Sequence, residues 1–127
     1  MPTRERVQNF IAEVEAGRFV EAIEGFYAED ASMQDNDGPV RQGRDVLVAA
    51  EKATMAAVSA IRTRPVETFL VDGDQVVIRW VFDFTFADGR QASMDELALQ
   101  TWRGDRIVRE RFYFDPGWRK AAALPAS

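Results

Sequence analysis

Val7, Phe10, Ile11 and Val14 recur at three- and four-residue intervals, the spacing that gathers apolar side chains on one face of a helix. The pattern predicts a helix from Arg4 to Ala16, stopped by Gly17. Phe19, Ala22, Ile23, Phe26 and Tyr27 repeat it and predict a second helix that runs into Tyr27-Ala28-Glu29-Asp30. A short strand is expected at Ala31 to Asp35, followed by a loop through Asn36-Asp37-Gly38-Pro39. After Gly43, the positions Val46, Leu47, Ala50, Ala53, Ala57, Val58 and Ile61 predict a third helix, which Pro65 ends. The pattern then changes to strands: Val66 to Val71, Gln75 to Phe86, Gln91 to Arg103, and Arg106 to Asp115. Gly73-Asp74, Asp88-Gly89 and Gly104-Asp105 punctuate them, so the second half reads as a meander of antiparallel strands joined by hairpins. Residues 116–127, with Trp118 and an alanine run, are expected as a short helix or a tail.

Helices ahead of a long curved sheet make an α+β fold: three N-terminal helices packed on a strongly curved, mostly antiparallel sheet, with a hollow between the layers. At 127 residues the chain is expected to be one domain with a core that needs no staple. It has 46% hydrophobic residues, among them nine Phe and three Trp, but no uncharged stretch long enough to span a membrane. A net charge of -5, with basic residues scattered among acids, argues against a nucleic-acid partner. Arg4, Glu5 and Arg6 interrupt any secretory-type N-terminal pattern, so a cytoplasmic location is the expectation.

The absence of His and Cys removes the usual zinc, copper and haem ligands and the common nucleophilic triads. No metal and no cofactor is expected. Any catalysis falls to Asp, Glu, Lys, Tyr or Arg, and proton transfer is the leading chemistry.

The order of elements, with Phe26-Tyr27-Ala28-Glu29-Asp30-Ala31-Ser32-Met33-Gln34-Asp35, Gln42-Gly43-Arg44-Asp45, Gly104-Asp105-Arg106-Ile107 and Tyr113-Phe114-Asp115, resembles the nuclear transport factor 2-like superfamily, especially its SnoaL-like members. The resemblance implies a cone-shaped pocket for small, largely apolar molecules and, commonly, a homodimer through the outer sheet face. Ketosteroid isomerases, polyketide cyclases and limonene epoxide hydrolases share this fold with noncatalytic modules, so fold alone leaves activity open. The isomerase general base matches Asp35, whereas its two oxyanion donors fall at Phe10 and Ala98. Of the epoxide-hydrolase constellation only Asp83 is kept; Met33, Asp35, Val81 and Phe112 replace the rest.

Both overlays place Val81 and Asp83 inside the pocket, which sends Trp80, Phe82, Phe84 and Phe86 to the outer face of the sheet. An exposed aromatic ladder needs cover, and a symmetric dimer is the expected one. With the faces reversed, the aromatics form the core and Asp83 is solvated. Met94, Glu96, Ala98 and Gln100 share one face of their strand, and Glu110, Phe112 and Phe114 share one of theirs. With Phe10 and Met33 they would line an apolar chamber.

The leading catalytic pair is Asp35 and Asp83, with Phe10, Met33, Val81, Glu96, Ala98, Phe112 and Phe114 around the substrate. The alternatives are a polar turn for Asp35 and an ion pair with Arg79 for Asp83. Glu110, flanked by Arg109 and Arg111, reads as part of a solvated charge run, and Tyr27 and Tyr113 as core packing. Asp115 is expected to fix the chain's exit. The expected function is cofactor-independent proton transfer on a small hydrophobic carbonyl or cyclic substrate. A noncatalytic ligand-binding or dimerisation module is the rival.

Overall fold

A computed structural model describes residues 1–121. Thr3 caps α1 (Arg4–Glu15), its hydroxyl accepting from the Arg6 N–H at 3.0 Å. Val7, Phe10, Ile11 and Val14 form the buried face of that helix, as their spacing requires. Gly17, at φ 78°, turns the chain into α2 (Phe19–Phe26). Strand β1 (Tyr27–Asp35) follows without a break, and β2 (Val40–Gln42) folds back on it. Helix α3 (Arg44–Ala56) is followed by β3 (Val58–Thr63), β4 (Phe69–Asp72), β5 (Gln75–Phe86), β6 (Gln91–Arg103), β7 (Arg106–Phe114) and a single 3-10 turn at Trp118–Ala121.

Two boundaries correct the sequence reading. The second helix stops at Phe26, because Tyr27 adopts extended φ and ψ of -98° and 144° and pairs with Ile107. The third helix ends at Ala56; Val58 to Thr63, whose Val and Ile match a helical repeat, instead pair with β5 as a strand. Here tertiary pairing with a long neighbour overrides the local pattern. Of the tail, the first part contains the 3-10 turn, and 122–127 lie outside the described residues.

The sheet has seven strands in the order β2-β1-β7-β6-β5-β3, with β4 against the first half of β5. It is mixed rather than wholly antiparallel, since β1 and β7 run parallel. That pairing sets β1 beside the last strand, one place in from the β2 edge. Phe10 of α1 is the hub of the packing, edge-on to Phe26, Tyr27, Trp80 and Trp102 at centroid distances of 5.4 to 6.4 Å.

Candidate functional site

The direction in which β5 faces is set by one residue in its turn. A loop of Asp88-Gly89 alone would pair Ala87 with Arg90 and so put Asp83 opposite Met94, on one face. Instead the Phe86 N–H donates to the Arg90 carbonyl at 2.8 Å and the Gly89 N–H to the Phe86 carbonyl at 2.9 Å, so the loop holds Ala87, Asp88 and Gly89. Gly89 sits at φ 86°, the left-handed geometry that closes such a loop with a bulge. The shift of one residue pairs Trp80 with Glu96, Phe82 with Met94 and Asp83 with Ser93, and it exchanges every side chain of β5 between faces.

The expected placement of Val81 and Asp83 is therefore corrected. Both lie on the opposite side of the sheet, along a polar groove with Arg62, Arg64 and Arg79. Asp83 accepts from Arg64 at 2.8 and 2.9 Å and from the Ser93 hydroxyl at 2.6 Å, and these partners hold its carboxyl down at about 2. Arg79, its expected partner, pairs with Asp95. Trp80, Phe82 and Phe84 face inward, so the exposed ladder that motivated a dimer does not exist. The Asp83 and Arg64 side chains are 34% and 53% exposed, and Asp83→Asn should cost no more than about 1 kcal/mol. A urea midpoint checks this, and a loss of several kcal/mol would assign Asp83 a larger structural role.

Between sheet and helices lies a cavity of about 210 Å³. Phe10 from α1, Phe19 and Ile23 from α2, Trp80, Phe82 and Phe84 from β5, and Phe112 and Phe114 from β7 make most of its wall, with Met33 and Met94 between them. Of the expected lining, Phe10, Met33, Glu96, Phe112 and Phe114 are present. Ala98 also faces inward from β6, but it is fully buried in the core and does not reach the cavity. Asp35 does reach it, from the last position of β1, and pairs with Arg41 of β2 at 3.2 and 3.3 Å. Glu51 and Thr54 of α3 complete the polar part of the rim.

Two carboxyls ranked low in the sequence reading stand deepest. Glu96 is 7% exposed and faces the cavity. Among the described residues nothing donates to it or pairs with it. Burial pushes it up to about 8, helped by the negative charges of Glu110, Asp35 and Glu51, so it carries a proton at neutral pH. Glu110, 1% exposed, accepts from the Tyr27 hydroxyl and from the Gln100 amide at 2.6 Å. Burial pushes Glu110 up to about 7 while those two donors hold it down. The Trp102 indole N–H donates to the Gln100 carbonyl oxygen at 3.0 Å and extends the chain. Burial, reinforced by Glu110, keeps the Tyr27 phenol protonated well above its ordinary range.

Arg109 and Arg111 suggest a solvated run only if alternation is ignored, for on a strand they point away from the face of Glu110. That alternation is the signal by which Glu110 is found. No signal in the sequence marks Arg41, Glu51 or the use of Tyr27, since each depends on contacts remote along the chain. Among the described residues no three His, Cys, Asp or Glu side chains are grouped to hold a metal ion, and no helix is long and apolar enough to cross a membrane.

This fold recurs in proteins of known structure. A candidate SnoaL-like polyketide cyclase from Mesorhizobium loti shares 29% identity, with 89% of this chain and 99% of that chain covered at a TM-score of 0.75. A hypothetical protein of ketosteroid isomerase-like fold from Catenulispora acidiphila, solved in complex with trimethylamine, superposes at 0.80 with 21% identity over 97% of this chain and 95% of its own. An LEH-like epoxide hydrolase of M. tuberculosis gives 0.69 at 12% identity over 87% and 80%, respectively. The last two likenesses speak to fold alone. No curated protein matches the chain. The model of the SnoaL-like domain matches residues 7–110, which hold every residue lining the cavity except Phe112 and Phe114, and the chain belongs to that family.

Proposed function

We propose that the protein moves a proton on a small, largely hydrophobic carbonyl compound, using Asp35 as base and Glu96 as the acid that holds the carbonyl oxygen. Glu96 carries this reading: an unpartnered carboxyl, buried among aromatic rings, aimed into the cavity and protonated at neutral pH. In a dry site a neutral carboxyl donates a hydrogen bond to an oxygen on which charge develops, and a nearby carboxylate removes the proton, the pattern known from ketosteroid isomerase. The resemblance places the donors at Phe10 and Ala98, where neither residue can donate. Glu96 lies two positions before Ala98 on the same face of β6 and offers a donor from there.

The step balances within the pair and the substrate. Asp35, oriented by Arg41, takes a proton from carbon beside the carbonyl. The C–H electron pair forms a carbon–carbon double bond while the carbonyl π pair moves onto oxygen, which accepts the Glu96 O–H bond. Asp35 returns the proton to the same or a conjugated carbon, which is an isomerisation; in a cyclisation the enol carbon instead bonds to a second carbonyl carbon of the substrate, and the oxygen of that carbonyl takes the proton from Asp35. We read the hollow as the cone-shaped pocket of the superfamily, and its volume, about seven water volumes, favours a compact ring over an extended chain.

Deuterium exchange into small cyclic ketones in heavy water, followed by proton NMR, tests the proposal without a known substrate. The wild type should speed exchange for at least one ketone. Asp35→Asn should remove about 10²- to 10⁴-fold of that rate, and Glu96→Leu about 10²- to 10³-fold. Exchange that survives Asp35→Asn, or no acceleration with any ketone, would overturn it.

A further inference from the structure

Glu110 lines the cavity, yet both of its oxygens are already occupied: Tyr27 donates to one and Gln100 to the other. The Gln100 amide has no freedom to turn over, because the Trp102 indole N–H, which can only donate, bonds its oxygen and leaves the NH₂ directed at Glu110. All four side chains are buried. Gln100 can only donate to one carboxyl oxygen and Tyr27 donates to the other, an arrangement that favours Glu110 as an anion. Gln100 and Glu110 are cross-strand partners on β6 and β7, and Glu96 lies on the same face of β6, one turn of the pleat beyond Ala98.

We propose that Gln100 is a positioning residue: locked by Trp102, it fixes Glu110 as a buried charge, and that charge keeps the proton on Glu96 as the cavity's donor. This rests on the reading of Glu96 in the proposed reaction, but it acts through electrostatics rather than contact with substrate. The charged and titratable groups facing Glu96 are Glu110 on β7, Asp35 on β1 and Glu51 on α3, with Arg41 of β2 beside Asp35. Of these Glu110 is the most deeply buried, so solvent screens it least, and its protonation state weighs most on Glu96.

Carbon-13 NMR of glutamate labelled at the side-chain carboxyl, run from pH 4 to 10 on the full chain, tests this without substrate. In the wild type Glu110 should lose its proton before Glu96. In Gln100→Leu, Glu110 lacks one donor and should hold its proton longer, so that the order reverses and the Glu96 midpoint falls by about one pH unit or more. Trp102→Phe keeps a ring in the core and only frees the amide; it should shift both midpoints the same way by less. If Gln100→Leu does not fold, Trp102→Phe decides. A Glu96 midpoint that is unchanged or rises in the folded variant would overturn the proposal, whatever the exchange assay on ketones gives. Midpoints that move as described, in a wild type that accelerates exchange with no ketone, would instead sink the catalytic reading and leave this one standing.

Discussion

Raised from pH 5 to pH 9, the protein should lose stability, and Glu96→Gln should abolish most of that loss. The folded protein holds Glu96 up at about 8 against an ordinary value of 4.5. An unfolded chain therefore releases this proton near pH 4.5 while the native state keeps it to about pH 8. The native state binds more protons throughout that window, so stability falls with rising pH, is fully present below pH 4.5, and is lost as pH passes through the folded value. A shift of this size corresponds to a loss on the order of 5 kcal/mol at ~1.4 kcal/mol per unit, comparable to the whole stability of many domains. Glu110, held up at about 7, adds in the same direction. Asp83, held down at about 2, and Asp30 and Asp95, also lowered, act in the opposite sense but only at more acidic pH, while Glu51, pushed up by burial, adds to the trend of the buried pair. Urea midpoints at pH 5, 7 and 9 for wild type and Glu96→Gln measure it. A wild type that gains stability across this range, or a variant with an unchanged slope, would show that Glu96 is ionised in the folded protein.

Phe10→Ala should cost about 3–5 kcal/mol, enough to leave the domain marginal. Phe10 is 2% exposed and touches four other aromatic rings, drawn from α2, β1, β5 and β6. The collapse of a neighbour into the gap is limited, because Tyr27 and Trp102 are tied by hydrogen bonds to Glu110 and Gln100. Phe10→Leu, which keeps most of the volume, should cost under about 2 kcal/mol. Urea unfolding of both variants at pH 6 measures the difference. Because Phe10 also lines the cavity, the alanine variant should admit bulkier ketones than the wild type, even as its stability falls.

The fate of the acids shows where a single chain can and cannot be read. Asp35 was legible as a pocket residue through the local run that precedes it, and it does line the cavity. Asp83, which interrupts a run of large apolar residues, looks from its neighbours like an interior acid needing a partner. Its partners, Arg64 just past the end of β3 and Ser93 of β6, meet it on the outer face. Glu110 shares its face with Phe112 and Phe114, so alternation placed it inward, whereas the arginines on either side argued for solvent. Periodicity was the better guide because the geometry of a strand is stricter than the chemistry of adjacent residues.

Taken alone, the chain determined whatever depends on neighbours a few residues apart. The faces of α1 and α2, the bounds of β5 and β6 at Gln75–Phe86 and Gln91–Arg103, and the inward rows Met94-Glu96-Ala98 and Glu110-Phe112-Phe114 all follow from short-range repeats. Tertiary structure decided which face of β5 meets the cavity, because the register hangs on one residue of the Ala87 to Gly89 loop and either choice satisfies the alternation. It also decided which carboxyls are chemically unusual. The Tyr27 hydroxyl reaches Glu110 across 83 positions of sequence, and a proton's affinity for an acid is set by burial and by such distant donors and charges, none of which local order specifies.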